Sequence, residues 1–260
     1  MEMKRIIAVM MILALILTAF AGCGGTTAPT TDGASGDTAK KEKLIMATNA
    51  EFPPYEFKED GKIIGIDAEI AGKIAEKLGM ELEIMDIEFN SIIAALDTGK
   101  ADFAAAGMTV TEEREKSVNF TDSYAKGVQV IIVKEGSAIA NPDDLNGKKI
   151  GVQQATTGDI YCSGDYGTEN VIKYDKGATA VQALVTDKVD AVVIDNEPAK
   201  AYVKANEGLK ILDTEFITED YAMAVDKENT ELFEKINGAL KELIADGTTQ
   251  QIIDKYIVAD

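Results

Sequence analysis

From Leu44 onward the chain alternates short apolar runs with amphipathic stretches of helical period, and this rhythm constrains the fold more than any other feature. Leu44-Ile-Met-Ala-Thr48 reads as a strand. Ile66 to Leu78, with Ile70, Ile74 and Leu78 in register, reads as a helix. Glu81 to Ile87 alternates as a strand, Ser91 to Thr98 reads as a helix, and Ala101 to Ala106 as a buried strand. A second series opens at Val128-Gln-Val-Ile-Ile-Val133, passes through Lys149-Ile-Gly-Val152 and ends at Val189 to Ile194. Alternation of this kind predicts an α/β protein with open, mostly parallel sheets flanked by helices. Ala95-Leu-Asp-Thr-Gly-Lys-Ala-Asp102 and Ala183-Leu-Val-Thr-Asp-Lys-Val-Asp190 share Ala, Leu, Thr, Lys and Asp at the same offsets, the mark either of two related halves or of a common α/β phrase.

The last segment departs from the rhythm. Leu232, Phe233, Ile236, Leu240, Leu243 and Ile244 form one helical face that ends at Asp246-Gly247, and Thr248 to Tyr256 reads as a second short helix. Such helices need a surface to cover, which the first lobe supplies if the chain crosses back to it. Two lobes joined by two crossings make a hinge, and the cleft between them is where small ligands bind.

The N-terminus reads as a processed segment. Lys4 and Arg5 precede an apolar run, Ile6 to Ala21, too short to span a membrane comfortably. Phe20-Ala21-Gly22-Cys23 resembles the bacterial lipoprotein signal, in which the cysteine is acylated (with palmitate among its chains) and becomes the mature N-terminus. The other reading is a plain secretory signal cut near Ala21. The expected organisation is a signal peptide over 1–22, a lipidated Cys23 with a flexible Gly/Thr/Ser/Ala-rich tether over 23–43, lobe 1 over 44–126 and 222–260, and lobe 2 over 127–221. Several acyl chains hold such a protein stably on the extracytoplasmic face of the cell membrane. With Cys23 acylated, Cys162 is the remaining cysteine, so no intramolecular disulfide is expected. Cys162 itself is read as a solvent-facing or half-buried thiol without function.

Charge and composition remove whole classes of function. Twenty-six Lys plus Arg against 45 Asp plus Glu give a formal charge of -19, which argues against nucleic acid and anionic surfaces as partners. The chain has no histidine, so Ser-His-Asp and Cys-His catalysis and every His-based metal site are excluded. No metal, cofactor or catalytic residue is expected, and the protein is read as a monomer.

In open α/β sheets, ligands bind beyond the carboxyl ends of the strands. Four such ends carry polar or aromatic residues: Asn49-Ala-Glu51-Phe52, Gly107-Met-Thr109 leading to Arg114, Gln153-Gln-Ala-Thr156-Thr157-Gly158, and Asp195. Thr111 followed by Glu112 and Glu113 reads as an N-cap with acids in the first turn, so Arg114 opposes the helix dipole there and a bound anion would explain it. The alternative is a solvated arginine paired with Glu112 or Glu113. Thr156 or Thr157 as a plain helix cap, Asp195 as a cap before Pro198, and Phe52 and Phe89 as core residues are the competing readings. Tyr55 is assigned to the core. An arginine for a carboxylate and an aspartate for an ammonium, on opposite lobes, is what a zwitterion-binding cleft requires.

From about Leu44 to Ile257 the chain resembles the amino-acid-binding proteins of ABC importers, the polar-amino-acid branch of the periplasmic binding proteins. The motifs are Asn49 to Tyr55 with Gly65-Ile-Asp67, Gly107-Met-Thr-Val-Thr-Glu-Glu-Arg114, Phe120-Thr-Asp-Ser-Tyr124, Asn146-Gly-Lys-Lys-Ile-Gly-Val152 with Thr156-Thr157-Gly158, and Asp190 to Asp195. The resemblance implies a two-lobed type II fold and delivery of an L-amino acid to a membrane permease. It implies that Arg114 and Thr157 bind the α-carboxylate, that Thr109 bridges carboxylate and ammonium, and that Asp195 and the Gly107 carbonyl bind the α-ammonium. Phe52 and Phe89 would sandwich the side chain, while Asn49, Glu51 and Gln153 read its polar tip. Asn49 stands where the family often has aspartate, so a basic amino acid is the first reading and glutamine the second, with Glu51 as the negative pole. The same fold also serves as the sensing module of membrane receptors and as an exported dehydratase. A receptor would need a separate signalling partner here, and a dehydratase a general acid in the cleft, for which Glu51 is the candidate.

Overall fold

The computed structural model describes residues 42–214 and 217–257; the signal segment, Cys23 and the tether as far as residue 41 lie outside them. β1 (Lys43–Thr48) leads into a small antiparallel ladder, β2 (Glu51–Phe52), β3 (Glu56–Glu59) and β4 (Lys62–Ile64). Then come α1 (Ile66–Leu78), β5 (Glu81–Asp86), α2 (Ile92–Asp97), β6 (Phe103–Ala104) and β7 (Val118–Phe120). The second series is β8 (Ala125–Lys134), β9 (Ile150–Gln153), α3 (Thr157–Tyr166), β10 (Val171–Tyr174), α4 (Gly177–Val185), β11 (Ala191–Asp195), α5 (Asn196–Ala205), β12 (Leu209–Ile211) and β13 (Ile217–Tyr221). β14 (Ala224–Asp226), α6 (Thr230–Ala245) and α7 (Thr248–Tyr256) close the chain.

Besides that ladder there are two larger sheets, one per lobe. The first has the order β5-β1-β6-β14-β7, the second β10-β9-β11-β8-β12 with β13 also on β8. Strands joined through a helix pair parallel: β1 with β5 and β6, and β9 with β10 and β11. β8, β12, β13 and β14 pair antiparallel, so the parallel share is smaller than alternation alone predicts. The reason is topological. A parallel neighbour needs a crossover helix, whereas the strands beside the lobe crossings meet their neighbours directly. β8 and β13 run side by side from Ala125 opposite Tyr221 to Gln129 opposite Ile217. Where the chain crosses, Thr121 N–H donates to the Met223 carbonyl (2.9 Å) and Tyr124 N–H to the Tyr221 carbonyl (3.0 Å).

Burial follows the sequence pattern closely. β9 and β11 are buried along their whole length, as strands covered on both faces must be. α1 buries Ile66, Ile70 and Ile74, and α6 and α7 pack on it. The α6 stripe that does so is Ile236, Leu240 and Leu243, while Ile244 turns to solvent at 40 % exposure. Lys77–Glu242 and Lys255–Glu69 ion pairs edge this contact. Ion pairs this exposed contribute little, whereas a fully buried aliphatic side chain contributes about 1.5–3 kcal/mol, so the apolar stripe decides the docking. Cys162 is fully buried in the second lobe, not solvent-facing or half-buried, and burial pushes its thiol up to about 12.

The internal match is the same local device used twice. Thr98 and Thr186 hydroxyls donate back to the carbonyls of Ala94 (2.7 Å) and Gln182 (2.8 Å). Gly99 and Asp187 take the left-handed conformation, φ 66° and 59°. Lys100 and Lys188 N–H groups donate to the Ala95 and Ala183 carbonyls, both at 2.9 Å. Asp102 then accepts from Ile45 N–H of β1 (2.7 Å), and Asp190 from Lys149 N–H just before β9 (2.8 Å). Each acid therefore fixes where its strand enters the sheet. Asp102 is half-buried and Asp190 exposed. Asp102→Ala should therefore cost about 1–2 kcal/mol and Asp190→Ala under about 1 kcal/mol in denaturant unfolding, since an exposed donor is rehydrated.

Candidate functional site

The strand ends of both sheets converge on one cavity. Asn49, Phe52, Phe89, Gly107, Thr109 and Arg114 line it from one lobe; Gln153, Thr156, Thr157 and Asp195 line it from the other. Glu56 and Ala106, which the sequence reading did not single out, complete the wall.

Arg114 is 7 % exposed. The helix expected after Thr111 is a single 3-10 turn, Arg114–Lys116, with Thr111 Oγ1 accepting from Arg114 N–H at 3.2 Å. So short a turn carries little dipole, and burial, not the dipole, is what makes the cation costly. Nor is Arg114 paired with its neighbours in sequence: Glu113 binds Lys116 instead. Its guanidinium donates to the carbonyls of Thr109 (2.7 Å) and, across the cleft, Ala155 (3.0 Å), and stacks 5.3 Å from the Phe89 ring centre. Burial pushes its pKa down while Glu219 and Asp195 pull it up. An arginine is not deprotonated in proteins, so the site holds a buried cation whose remaining donors suit an anion.

Asp195, at the end of β11, holds the N-cap position of α5 but makes no capping bond. Its carboxylate accepts from the Tyr221 hydroxyl instead. Burial pushes its pKa up to about 7; hydrogen bonds from Tyr221 and Gln129 oppose this and the charge of Glu219 adds to it. Thr156 is the cap of α3: its hydroxyl accepts from Asp159 N–H (3.4 Å) and donates to the Gln153 carbonyl (2.8 Å). Gly107 has φ 50°, and a Cβ there would lie 2.9 Å from Phe52 Cε1, so only glycine brings its backbone to the cavity wall.

Glu219 was not anticipated. It is 5 % exposed on β13 and accepts from Thr109 Oγ1 (3.1 Å), Thr157 Oγ1 (2.9 Å), Gln129 Nε2 (3.0 Å) and the Tyr161 hydroxyl (3.0 Å). Each threonine hydroxyl has one proton, and both give it to Glu219. Toward the cavity they offer lone pairs, the polarity an ammonium needs. Donors for a carboxylate are then Arg114 and the main-chain N–H groups that open α3.

Asn49 and Gln153 meet directly. Gln153 Nε2 donates to Asn49 Oδ1 at 2.9 Å across the cleft, and Asn49 Nδ2 to the Ile87 carbonyl at 3.0 Å. Glu51 is the one predicted residue that does not line the cavity. Its carboxylate pairs with Lys176 of the other lobe, and its carbonyl accepts from the Tyr202 hydroxyl at 2.6 Å. Pairing explains why. Phe52 lies opposite Glu56 and Glu51 opposite Phe57. Cross-strand partners share a face, so Phe52 and Glu56 reach the cavity together while Glu51 points away.

Asp195 makes stability depend on pH. Its folded pKa lies above its unfolded value, so the folded state holds the proton longer and stability falls as pH rises from about 4 to about 7. Asp67, pushed up to about 6 by burial, acts in the same direction. Asp195→Asn should flatten part of this slope in thermal unfolding of ligand-free protein between about pH 4 and 7. A bound ammonium should flatten it in the wild type by stabilising the ionised carboxylate.

Comparison with known proteins places this geometry in a family. Residues 44–259 match the family model described as bacterial extracellular solute-binding proteins, family 3. The arginine-binding extracellular protein ArtP of Bacillus subtilis is 34% identical over 257 residues, 96% of this chain and 97% of that one. An ancestral arginine-binding protein bound to glutamine superposes with a TM-score of 0.80 at 44% identity, covering 84% of this chain and 99% of the other. An ancestral arginine-binding protein bound to arginine gives 0.78 at 44%, with the same coverage. A two-lobed type II binding-protein fold whose matching relatives are amino-acid-binding proteins accounts for both sheets and the cleft between them, and the chain belongs to the bacterial extracellular solute-binding proteins, family 3.

Proposed function

We propose that this protein captures an L-amino acid with a cationic or amide side chain between its lobes and delivers it to the membrane permease of an ABC importer. The observation that carries the reading is that a buried arginine and a buried aspartate, Arg114 and Asp195, come from different lobes to line one cavity. Arg114 takes the α-carboxylate, in the bidentate geometry a guanidinium favours. Asp195 and the Gly107 carbonyl take the α-ammonium, helped by the lone pairs of Thr109 and Thr157. Phe52 and Phe89 flank the side chain. The relatives that bind arginine and glutamine support both side-chain classes.

The lobes, 44–126 with 222–260 and 127–221, close on the ligand because it contacts both. Acylation of Cys23 keeps the protein on the extracytoplasmic face of the membrane, which raises its effective concentration at the permease. Glu51–Lys176 and Tyr202–Glu51 join the lobes at the rim and add to closure whatever the ligand.

Thermal unfolding of the refolded protein against the twenty L-amino acids tests the reading. Ligand at a hundred times its Kd adds about 2.7 kcal/mol, a shift of about 5–10 °C for a domain of this size. Shifts with arginine, lysine or glutamine support the proposal; no shift with any amino acid refutes it. Arg114→Lys should weaken binding about ten- to a hundredfold in calorimetry, because a point charge cannot form the two-pronged contact.

A further inference from the structure

Glu56 is an acid of the cavity that the zwitterion does not use. It is 1 % exposed, begins β3 and lines the same wall as Arg114 and Asp195. Against it lies Asp67 of α1, which is fully buried. Asp67 Oδ2 accepts from Gly107 N–H and from the Tyr124 hydroxyl, both at 2.8 Å. Asp67 Oδ1 and Glu56 Oε2, by contrast, have no hydrogen-bond partner. The two acids are neighbours: Asp67 N–H donates to the carbonyl of Tyr55, the residue before Glu56, at 2.9 Å, and the charge of Asp67 pushes the Glu56 carboxyl up. Two ionised carboxylates side by side out of water, each with an oxygen that meets no donor, repel one another, so the pair favours holding one proton.

The surroundings place that proton on Glu56. Asp67 has two fixed donors that stabilise its charge, while Glu56 Oε2 has none. Burial pushes the Glu56 carboxyl well up, and the charges of Asp67 and Asp195 push it further. The titratable groups around it are Asp67 from α1, Asp195 from β11, Tyr55 beside it, Tyr124 ahead of β8 and Tyr202 from α5, with Arg114 on the same cavity. Burial holds all three tyrosines as neutral phenols.

A carboxyl and a carboxylate recognise different partners. The neutral acid can donate to an amide oxygen; the anion accepts from an ammonium or guanidinium and balances its charge. We propose that Glu56 reads the charge of the ligand's side chain through a proton: a cationic side chain drives the proton held on Glu56 out to solvent, and an amide side chain binds with that proton in place. The step balances, since the cavity gains one positive charge from the ligand and loses one as the proton. It rests on the amino-acid reading above and names what that reading leaves open, how one cavity serves two side-chain charges.

The experiment is calorimetry with L-arginine and L-glutamine, each in two buffers of different protonation enthalpy, between about pH 5 and pH 8. Protons lost from Asp195 to the α-ammonium are lost with both ligands and cancel in the difference. Arginine should release up to about one proton more than glutamine, and the ratio of their affinities should rise with pH by up to about tenfold per unit. In Glu56→Gln that ratio should no longer change with pH. Equal proton release by the two ligands, or a pH-dependent ratio surviving in Glu56→Gln, overturns the inference. Infrared spectroscopy of the ligand-free protein reads that proton directly. At about pH 8, where Asp195 has given up its proton, a protonated-carboxyl band should be present in the wild type, absent in Glu56→Gln and bleached by arginine. Its absence from the wild type overturns the inference whether or not an amino acid binds. A band present with neither amino acid binding instead refutes the amino-acid reading, and the ligand coupling with it.

Discussion

Keeping a guanidinium out of water between two lobes is the constraint around which this protein is organised. Arg114 cannot lose its charge, so its surroundings must supply acceptors. They come from both sides: the Thr109 carbonyl of its own lobe, the Ala155 carbonyl of the other, and the ring of Phe89. With the lobes together, each lobe supplies part of what replaces the water around this cation. The hinge makes that approach precise, because the two crossings hydrogen-bond to each other and continue into the paired β8 and β13.

Around this one cation the structure gathers an excess of acid. Asp195, Glu219, Glu56 and Asp67 are all nine-tenths buried or more. Each is handled differently. Glu219 is surrounded by four donors, Asp67 holds two, Asp195 has a tyrosine hydroxyl, and Glu56 Oε2 has none. Burial pushes the carboxyls of Asp195, Asp67 and Glu56 up, so an incoming positive group is favoured there. An amino acid brings one such group on its α-carbon, and a basic one brings a second.

Much of the fold was legible in the pattern of apolar residues. The isoleucines of α1 repeat at helical spacing, and β9 and β11 are unbroken apolar runs, so their burial follows from period and composition. Ile244 shows the limit of that reasoning: it belongs to the apolar face by period, yet it is exposed to water. Thr111-Glu112-Glu113 has the letters of a helix start but yields one 3-10 turn, because the chain must turn back to place Val118–Phe120 on β14.

Local residue order by itself determined the α/β class, the strand and helix alternation, and the strand ends that carry Arg114, Thr157 and Asp195, since all of these depend on period and on the rule that ligands gather where strands end. Choosing among acids required the tertiary structure. Glu51 and Glu56 stand in the same acidic stretch, and only the pairing of β2 with β3 turns one to Lys176 and the other to the cavity. Glu219 lies more than a hundred residues from Thr109 and about sixty from Thr157, yet accepts from both. A carboxylate's role is set by its donors and its distance from water, and those are properties of the folded chain that residue order does not display.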